Sequence, residues 1–489
     1  MSESQSREGI QAPPSTLWGI LRQLGPGMIL AGSIVGSGEL IATTRTGAEA
    51  GFHFLWLIII GCVIKVFTQI ELARYTVANR KTTLSALRDL PGGVFIVYFW
   101  LIMFLVGLGQ LGGIVGGVGQ ALAISWPITV EGKQYNAAVE ETIQARLSQQ
   151  LSVEDLDERR SKVAALKKNA NDDKIYAVLV GVVAIIMLTW GKFRFIEIFT
   201  TTLVCGFTFV TIGNVFALQG VESYAIDFAA IKQGLSFGFP PAIGEQKPLF
   251  TALATFGIIG VGASELVAYP YWCLEKGYGK WIGPVEQTAE WESRAKGWMR
   301  VMKYDAWLSM VVYTVSTVAF YLLGAAILHR TGMIPASTEM VATLSSMYKP
   351  VFGAFAQQIF LVGAFAVLFS TFFVANAAKA RMATDVIAVL GFATWTEQSR
   401  SKVVRIFGGL FPATCVIIYL FIPAPVTLVL IAGVMQSLLL PVLGFAALYF
   451  RYKACDPRLV PSPIWDIGLW ISFACFAVIG SWLLYTKLF

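Results

Sequence analysis

Long apolar stretches, separated by short polar loops, recur along the whole chain. A bilayer core of roughly 30 Å is crossed by about 20 apolar residues of helix. About eleven stretches of that length begin near Leu24, Phe54, Val94, Ile175, Phe195, Leu249, Ala306, Val351, Val403, Ala424 and Ile467. The pattern therefore predicts an all-α integral membrane protein with about eleven transmembrane helices.

Composition and charge agree with a membrane location. Hydrophobic residues make up 56% of the 489 positions and charged residues 14%, too few to cover a water-soluble protein of this size. The net charge of +7 arises from Lys and Arg in the loops after the even-numbered spans. The positive-inside rule places those loops, and with them the N-terminus, in the cytosol. We expect a multi-pass plasma-membrane protein that has no nucleic-acid partner.

Several features argue against other classes of function. Residues 1–16 are polar, so we expect no signal peptide and a cytosolic N-terminal segment at 1–23. Residues 129–174 are also polar, with balanced charges, and predict an external, partly helical insertion. The six cysteines stand singly, and two histidines cannot build a His-based metal cage. Without a nucleophile beside a base, we expect neither an enzyme nor a bound cofactor.

Two distant spans share one sequence pattern. The first span contains GSGELIA at 36–42, and the sixth contains GASELVA at 262–268. Halves of five spans each, related in this way, insert into the membrane with opposite orientation, as in many transporters. We therefore divide the chain into a first five-helix repeat at 24–220, a second, inverted repeat at 221–450 and a C-terminal span at 451–489.

Each copy of the pattern places a carboxylate beside small residues in the middle of an apolar span. A helix that breaks there exposes backbone groups, which is tolerated only where the chain lines a cavity. The predicted binding residues are therefore Gly36, Glu39, Gly262 and Glu265. An unpaired carboxylate in hydrocarbon costs several kcal/mol, so both acids should face the cavity or hold a proton. The alternative is that hydroxyls or backbone amides satisfy both acids in a purely structural role.

Five further polar residues in the spans are candidates for coupling or for lining the cavity: Lys65, Gln110, Ser370, Thr371 and Gln436. Lys65 is expected to pair with one of the two glutamates, or to snorkel or form a structural ion pair. The other four are expected to line the cavity or to form interhelical hydrogen bonds.

From Gly25 onward the chain resembles the Nramp family of proton-coupled divalent-metal transporters. The family's first span reads approximately GPAFLVSIGYMDPGNWATDIEAGSKFGY, and this chain has GPGMILAGSIVGSGELIATTRTGAEAGF. The positions in register are Gly25, Pro26, Gly38, Gly47 and Gly51, and the match continues into the second span. The resemblance implies a LeuT-type fold, with two inverted five-helix repeats and broken helices 1 and 6.

The family's metal-binding motifs are replaced. Its DPGN motif falls on 36–39 and its AxxMPH motif on 262–267, so the methionine becomes Glu265 and the histidine Val267. Loss of the thioether weakens the preference for soft metals, whereas two facing glutamates, Glu39 and Glu265, would offer hard oxygen ligands to a divalent ion. Such a pair can hold a proton in the absence of the ion, and exchange of the two would couple their movements.

These features together predict a Nramp-like secondary active transporter that moves a small cation, most simply a divalent metal ion, by alternating access. One alternative keeps the fold but changes the cargo to an organic solute or organic cation, without transition-metal transport. Another is a membrane sensor or scaffold that does not transport.

Overall fold

The computed structural model describes residues 9–148, 153–190, 193–240 and 248–488. Parts of two predicted segments, residues 1–8 at the N-terminus and 149–152 in the insertion, lie outside this range. The helices of the first half are α1 Leu17–Gln23, α2 Pro26–Ile34, α3 Thr44–Ala50, α4 Leu55–Val63, α5 Lys65–Asn79, α6 Thr83–Arg88, α7 Gly93–Ser125, α8 Val130–Leu147, α9 Val153–Lys167, α10 Asp172–Trp190 and α11 Phe193–Ala217.

The second half is helical as well. Its helices are α12 Phe228–Gly234, α13 Pro248–Ile258, α14 Ala263–Lys276, α15 Tyr278–Ile282, α16 Ala289–Leu323, α17 Met340–Ser345, α18 Lys349–Phe352, α19 Ala356–Val389, α20 Glu397–Phe421, α21 Pro425–Tyr449 and α22 Pro463–Leu488. The segments Val35–Thr43, Gly324–His329 and Phe450–Ala454 are π-helical.

In the described part of the chain, nine helices are long and apolar enough to cross a bilayer, or ten if the bent helix formed by α2 and α3 is counted. The predicted fifth span coincides with α11, whose apolar stretch, Val204–Gly220, is shorter than the others. The protein is therefore a multi-pass membrane protein, and eleven spans remain the prediction.

The first span stays helical but bends. It runs through α2, the π-helical Val35–Thr43 and α3, with a bend of 40°. Asp305 fixes its start, because the carboxylate accepts hydrogen bonds from Gly25 N at 2.9 Å and Gly27 N at 2.5 Å. A π-helical segment admits one extra residue into the helix and is common at functional sites. The expected gap in this span is thus replaced by a bulge and a bend.

The sixth span is interrupted, as predicted. Helix α13 ends at Ile258 and α14 begins at Ala263, and the four residues between them are not helical. Gly260 has φ +54°, in the left-handed region that glycine adopts without strain. Where the first span contacts this break, a methyl group on Gly38 would lie 2.7 Å from Ile258 O. The bend and the break therefore lie side by side.

Candidate functional site

Lys65, at the start of α5, is buried against the break in the sixth span. Its ammonium donates to Ile259 O at 2.8 Å and to Phe256 O, and lies 4.7 Å from the centre of the Phe256 ring. The last carbonyls of a helix carry partial negative charge and lack intrahelical partners, so a cation stabilises them. Lys65 therefore caps the C-terminal end of α13.

Glu39 binds the same break through a backbone N–H group, whereas Lys65 binds backbone carbonyls. Its Oε1 accepts hydrogen bonds from Gly260 N at 3.0 Å and from Thr317 Oγ1 at 3.1 Å. Its Oε2 is buried and has no hydrogen-bond partner among the described residues. Lys65 and Glu39 thus both hold residues 259–262 in place through the backbone of that segment.

A small cavity lies on the other side of the break. Its volume is about 30 Å³, and its polar lining comes from Ser33, Gln110, Ser264, Glu265, Thr371 and Lys379. This volume is enough for a bare ion or one to two water molecules. Glu39 and Lys65 are not among its lining residues, so the structure assigns the two predicted glutamates to different places.

Gln436, from α21, orders one wall of this cavity. Its amide donates from Nε2 to Gln110 Oε1 at 2.9 Å, and its Oε1 accepts from Ser264 N at 3.1 Å. A methyl group on Gly262 would come within 2.6 Å of Glu265 Oε2 and 2.8 Å of Gln436 Oε1. The glycine therefore lets the carboxylate and the amide approach the start of α14.

The remaining predicted residues lie where the bent first span meets α19. Ser370 Oγ donates to Gly32 O at 3.1 Å. A methyl group on Gly36 would overlap Thr371 Oγ1, so this contact requires glycine. Thr371 Oγ1 itself is buried and has no hydrogen-bond partner in the described part of the chain. Thr371 lines the cavity, whereas Gly36 and Ser370 pack the helices beside it.

Lys379, on α19, is a residue of the cavity that the sequence analysis missed. It is 5% exposed, and its ammonium lies 3.4 Å from Phe104 O and 4.5 Å from the centre of the Phe104 ring. Gly107 makes room for it, because a methyl group there would lie 2.6 Å from Nζ. A span of about 20 residues that begins near Val351 ends before Lys379, whereas α19 is 34 residues long and includes it. An ionisable residue within a span was the available signal.

The charged groups of the cavity are of opposite sign. Lys379 and Lys65 are the basic residues whose charges act on the Glu265 carboxylate. No group of three or more His, Cys, Asp or Glu side chains that could hold a metal occurs among the residues described. The side-chain oxygens on the lining of the cavity belong to Glu265 and to the neutral residues Ser33, Gln110, Ser264 and Thr371. These are hard ligands, suited to magnesium, calcium or manganese.

Comparison with known proteins finds a family whose sequence model matches much of this chain. The model of the family described as "Natural resistance-associated macrophage protein-like" matches residues 163–486. A search of curated proteins gives no match.

Solved structures resemble almost the whole chain. A variant of the Eremococcus coleocola manganese transporter superposes with a TM-score of 0.65 at 15% identity, covering 98% of this chain and 90% of that one. MhsT in complex with L-phenylalanine gives 0.55 at 15%, covering 96% and 99%. Mhp1, a nucleobase-cation-symport-1 family transporter, gives 0.50 at 12%, covering 95% and 93%. The predicted LeuT-type, all-α fold is confirmed.

Proposed function

Because the chain belongs to the Nramp-like family, we propose that it is a secondary active transporter that moves a divalent metal ion across the plasma membrane by alternating access. Members of this family are transporters rather than enzymes. The fold is shared with a manganese transporter, which supports this class of cargo. The N-terminus would face the cytosol, in keeping with the basic loops.

The observation that carries the proposal is the cavity at the break of the sixth span. Glu265 contributes a negative charge beside hydroxyl and amide oxygens, in a volume that fits an ion. We assign Glu265 as the charged ligand, and Gln110, Ser264 and Thr371 as neutral ligands. Gln436 and Gly262 would position them. Broken helices in transporters commonly offer backbone groups to an ion in the same way.

Glu39 and Lys65 would control movement of the break in the sixth span. Both are bonded to residues 256–260, so any movement of that segment must break or carry these bonds. Glu39 would reach a cation only after giving up its bond to Gly260 N, and we assign it as a ligand of a rearranged state. Gly36, which packs on Thr371 without a side chain, would let the first span move together with that segment.

A second candidate cargo is a zwitterionic organic solute. Lys379 supports it, because an ammonium and a carboxylate on one cavity would match the two charges of an amino acid. A cavity of about 30 Å³ is too small for such a solute in this conformation, so the candidate requires a more open state.

Uptake into proteoliposomes tests the proposal. Vesicles that contain the protein should take up manganese or magnesium, and excess of the other ion should compete. Glu265→Gln should abolish this uptake. Glu290→Gln, which removes an exposed acid instead, should not. Uptake of radiolabelled amino acids with no metal uptake would favour the second candidate and refute the first.

A further inference from the structure

A pocket lined by basic side chains shares no lining residue with the cavity. It measures about 250 Å³ and is bounded by Arg74 from the end of α5, by Lys296, Arg300 and Lys303 from the start of α16, and by Arg458 before α22. We call it the basic pocket. Its other lining residues are apolar, and none of the lining residues, all within the described chain, is acidic. The segments that form it all belong to the loops predicted to be cytosolic.

Arg74 is the most buried of these side chains, at 3% exposure. Its Nε donates to Glu71 Oε1 at 3.1 Å, and one terminal nitrogen donates to Leu459 O at 3.1 Å. The other terminal nitrogen is buried and finds no acceptor among the residues described. A buried guanidinium N–H is costly to leave without an acceptor, so this nitrogen points to an acceptor that the chain itself does not supply.

The basic side chains of the pocket differ in whether an acidic residue of the described chain pairs with them, and Arg74 is paired with Glu71. Lys296 pairs with Glu292 at 2.5 Å, and Arg458 pairs with Asp456 at 2.8 Å. Arg300 and Lys303 take part in none of the ion pairs formed there. The positive charge of Arg74 also acts on Lys303, against the opposite effect of the Glu71 carboxylate, so Arg74 and Lys303 repel each other. An anion between them would relieve this repulsion.

Two tryptophan rings lie beside the basic side chains of the pocket. The Trp465 ring lies 6.0 Å from the Arg74 guanidinium and 5.8 Å from the Lys303 ammonium. The Trp291 ring lies 4.3 Å from the guanidinium of Arg458. Tryptophan is enriched where membrane meets water. These rings, together with the predicted cytosolic loops that form the basic pocket, agree with a position near the lipid headgroups, where basic pockets between helices bind phosphate.

We propose that the basic pocket binds a phosphate group, supplied either by an anionic lipid headgroup or by free phosphate. The unpartnered nitrogen of Arg74 donates to a phosphate oxygen, and Arg300 and Lys303 neutralise the charge. Guanidinium groups recognise phosphate by such charge-assisted hydrogen bonds. This binding is independent of the transported ion, because none of these residues lines the cavity.

The test uses the full chain, purified in detergent. Dioleoylphosphatidylglycerol is titrated and counted by native mass spectrometry, and sodium phosphate is titrated in a thermal-shift assay. The double variant Arg300→Gln, Lys303→Gln removes two charges without touching Arg74. A matched control, Lys402→Gln, Arg405→Gln, removes two exposed charges from another loop predicted to be cytosolic. A second variant, Arg300→Lys, Lys303→Arg, keeps both charges.

We expect the double variant to weaken binding of one of the two probes by at least about tenfold, since each basic residue near an anionic surface contributes about 1 kcal/mol. The control and the charge-keeping variant should bind as the wild type does. Loss of lipid binding alone identifies the headgroup as the source, and loss of phosphate binding identifies free phosphate. Equal binding by the double variant and the control, or no binding of either probe to the wild type, would overturn the proposal.

Discussion

Glu265 and Lys379 face one cavity with opposite charges, and this arrangement sets the affinity for any cation that enters. The carboxylate attracts a divalent ion, whereas the ammonium repels it from the same space. Lys379 lies against Phe104 O and the Phe104 ring, contacts that leave it available as a counter-charge to the acid. When no cargo ion is present, Lys379 would balance the charge of Glu265.

Removing the ammonium should therefore tighten metal binding. For Lys379→Met we expect manganese affinity to rise on the order of tenfold, from the loss of one like charge at short range. Lys379→Arg keeps the charge and should bind as the wild type does. Calorimetry on the three proteins measures the difference. Unchanged or weaker binding by the methionine variant would mean that the lysine is a structural residue or a ligand of an anionic group.

The sequence revealed part of this site for a physical reason. Charged and amide side chains are rare in apolar spans, so Glu265, Gln110 and Gln436 were recognisable as candidates. A sequence does not show which way a side chain points. Glu39 occupies the position equivalent to Glu265 in the other repeat, yet its carboxylate turns to Gly260 N and Thr317. That choice depends on which backbone groups the neighbouring break leaves unpaired.

Among the elements, the first and sixth spans differ in form although their sequences repeat. In the sixth span, Gly260 takes a left-handed conformation and the helix stops. In the first, tight packing of Gly38 on Ile258 O and of Gly36 on Thr371 keeps the chain helical, and a π-helical segment absorbs the irregularity. Small residues predicted that both spans would be irregular, but the form of the irregularity depends on the helices packed against it.

The insertion contacts a loop of the second half of the chain. From α8, Tyr135 donates to Thr338 O at 3.0 Å, and Arg146 donates to Gly332 O at 3.0 Å. From α7, Gln120 donates to Ser337 O at 2.7 Å. Hydrogen bonds to three of its carbonyls restrain the loop that leads into α17. The helices of this insertion were predictable in part, but their partner across the chain was not.

Removing two of these hydrogen bonds should make the loop more mobile. In Tyr135→Phe, Arg146→Gln we expect amide hydrogen exchange of residues 332–345 to become several-fold faster, because two of the bonds that hold the loop closed are lost. Arg159→Gln is the matched control, since Arg159 pairs with Glu141 inside the insertion at 2.8 Å. If exchange in 332–345 is the same in both proteins, the insertion does not restrain this loop.

For the molecule as a whole, hydropathy predicted an all-α membrane protein, and one pattern repeated in spans one and six predicted two inverted halves. The LeuT-type fold was implied by the resemblance to the Nramp family. The family relation was predicted from a resemblance in the first span, and the family model matches the later part of the chain, residues 163–486. The cargo was harder to predict, because the family's metal-binding motifs are replaced and the cavity charges come from residues on different helices. Fold does not determine which solute a site accepts.

The central claim is that the cavity binds a divalent ion through Glu265. The most direct test is titration calorimetry of the purified protein with manganese, magnesium and calcium, repeated on Glu265→Gln and on the control Glu290→Gln. We predict that the wild type and the control bind at least one of these ions, and that Glu265→Gln weakens its affinity by at least about tenfold. Equal binding by Glu265→Gln and the wild type would contradict the account.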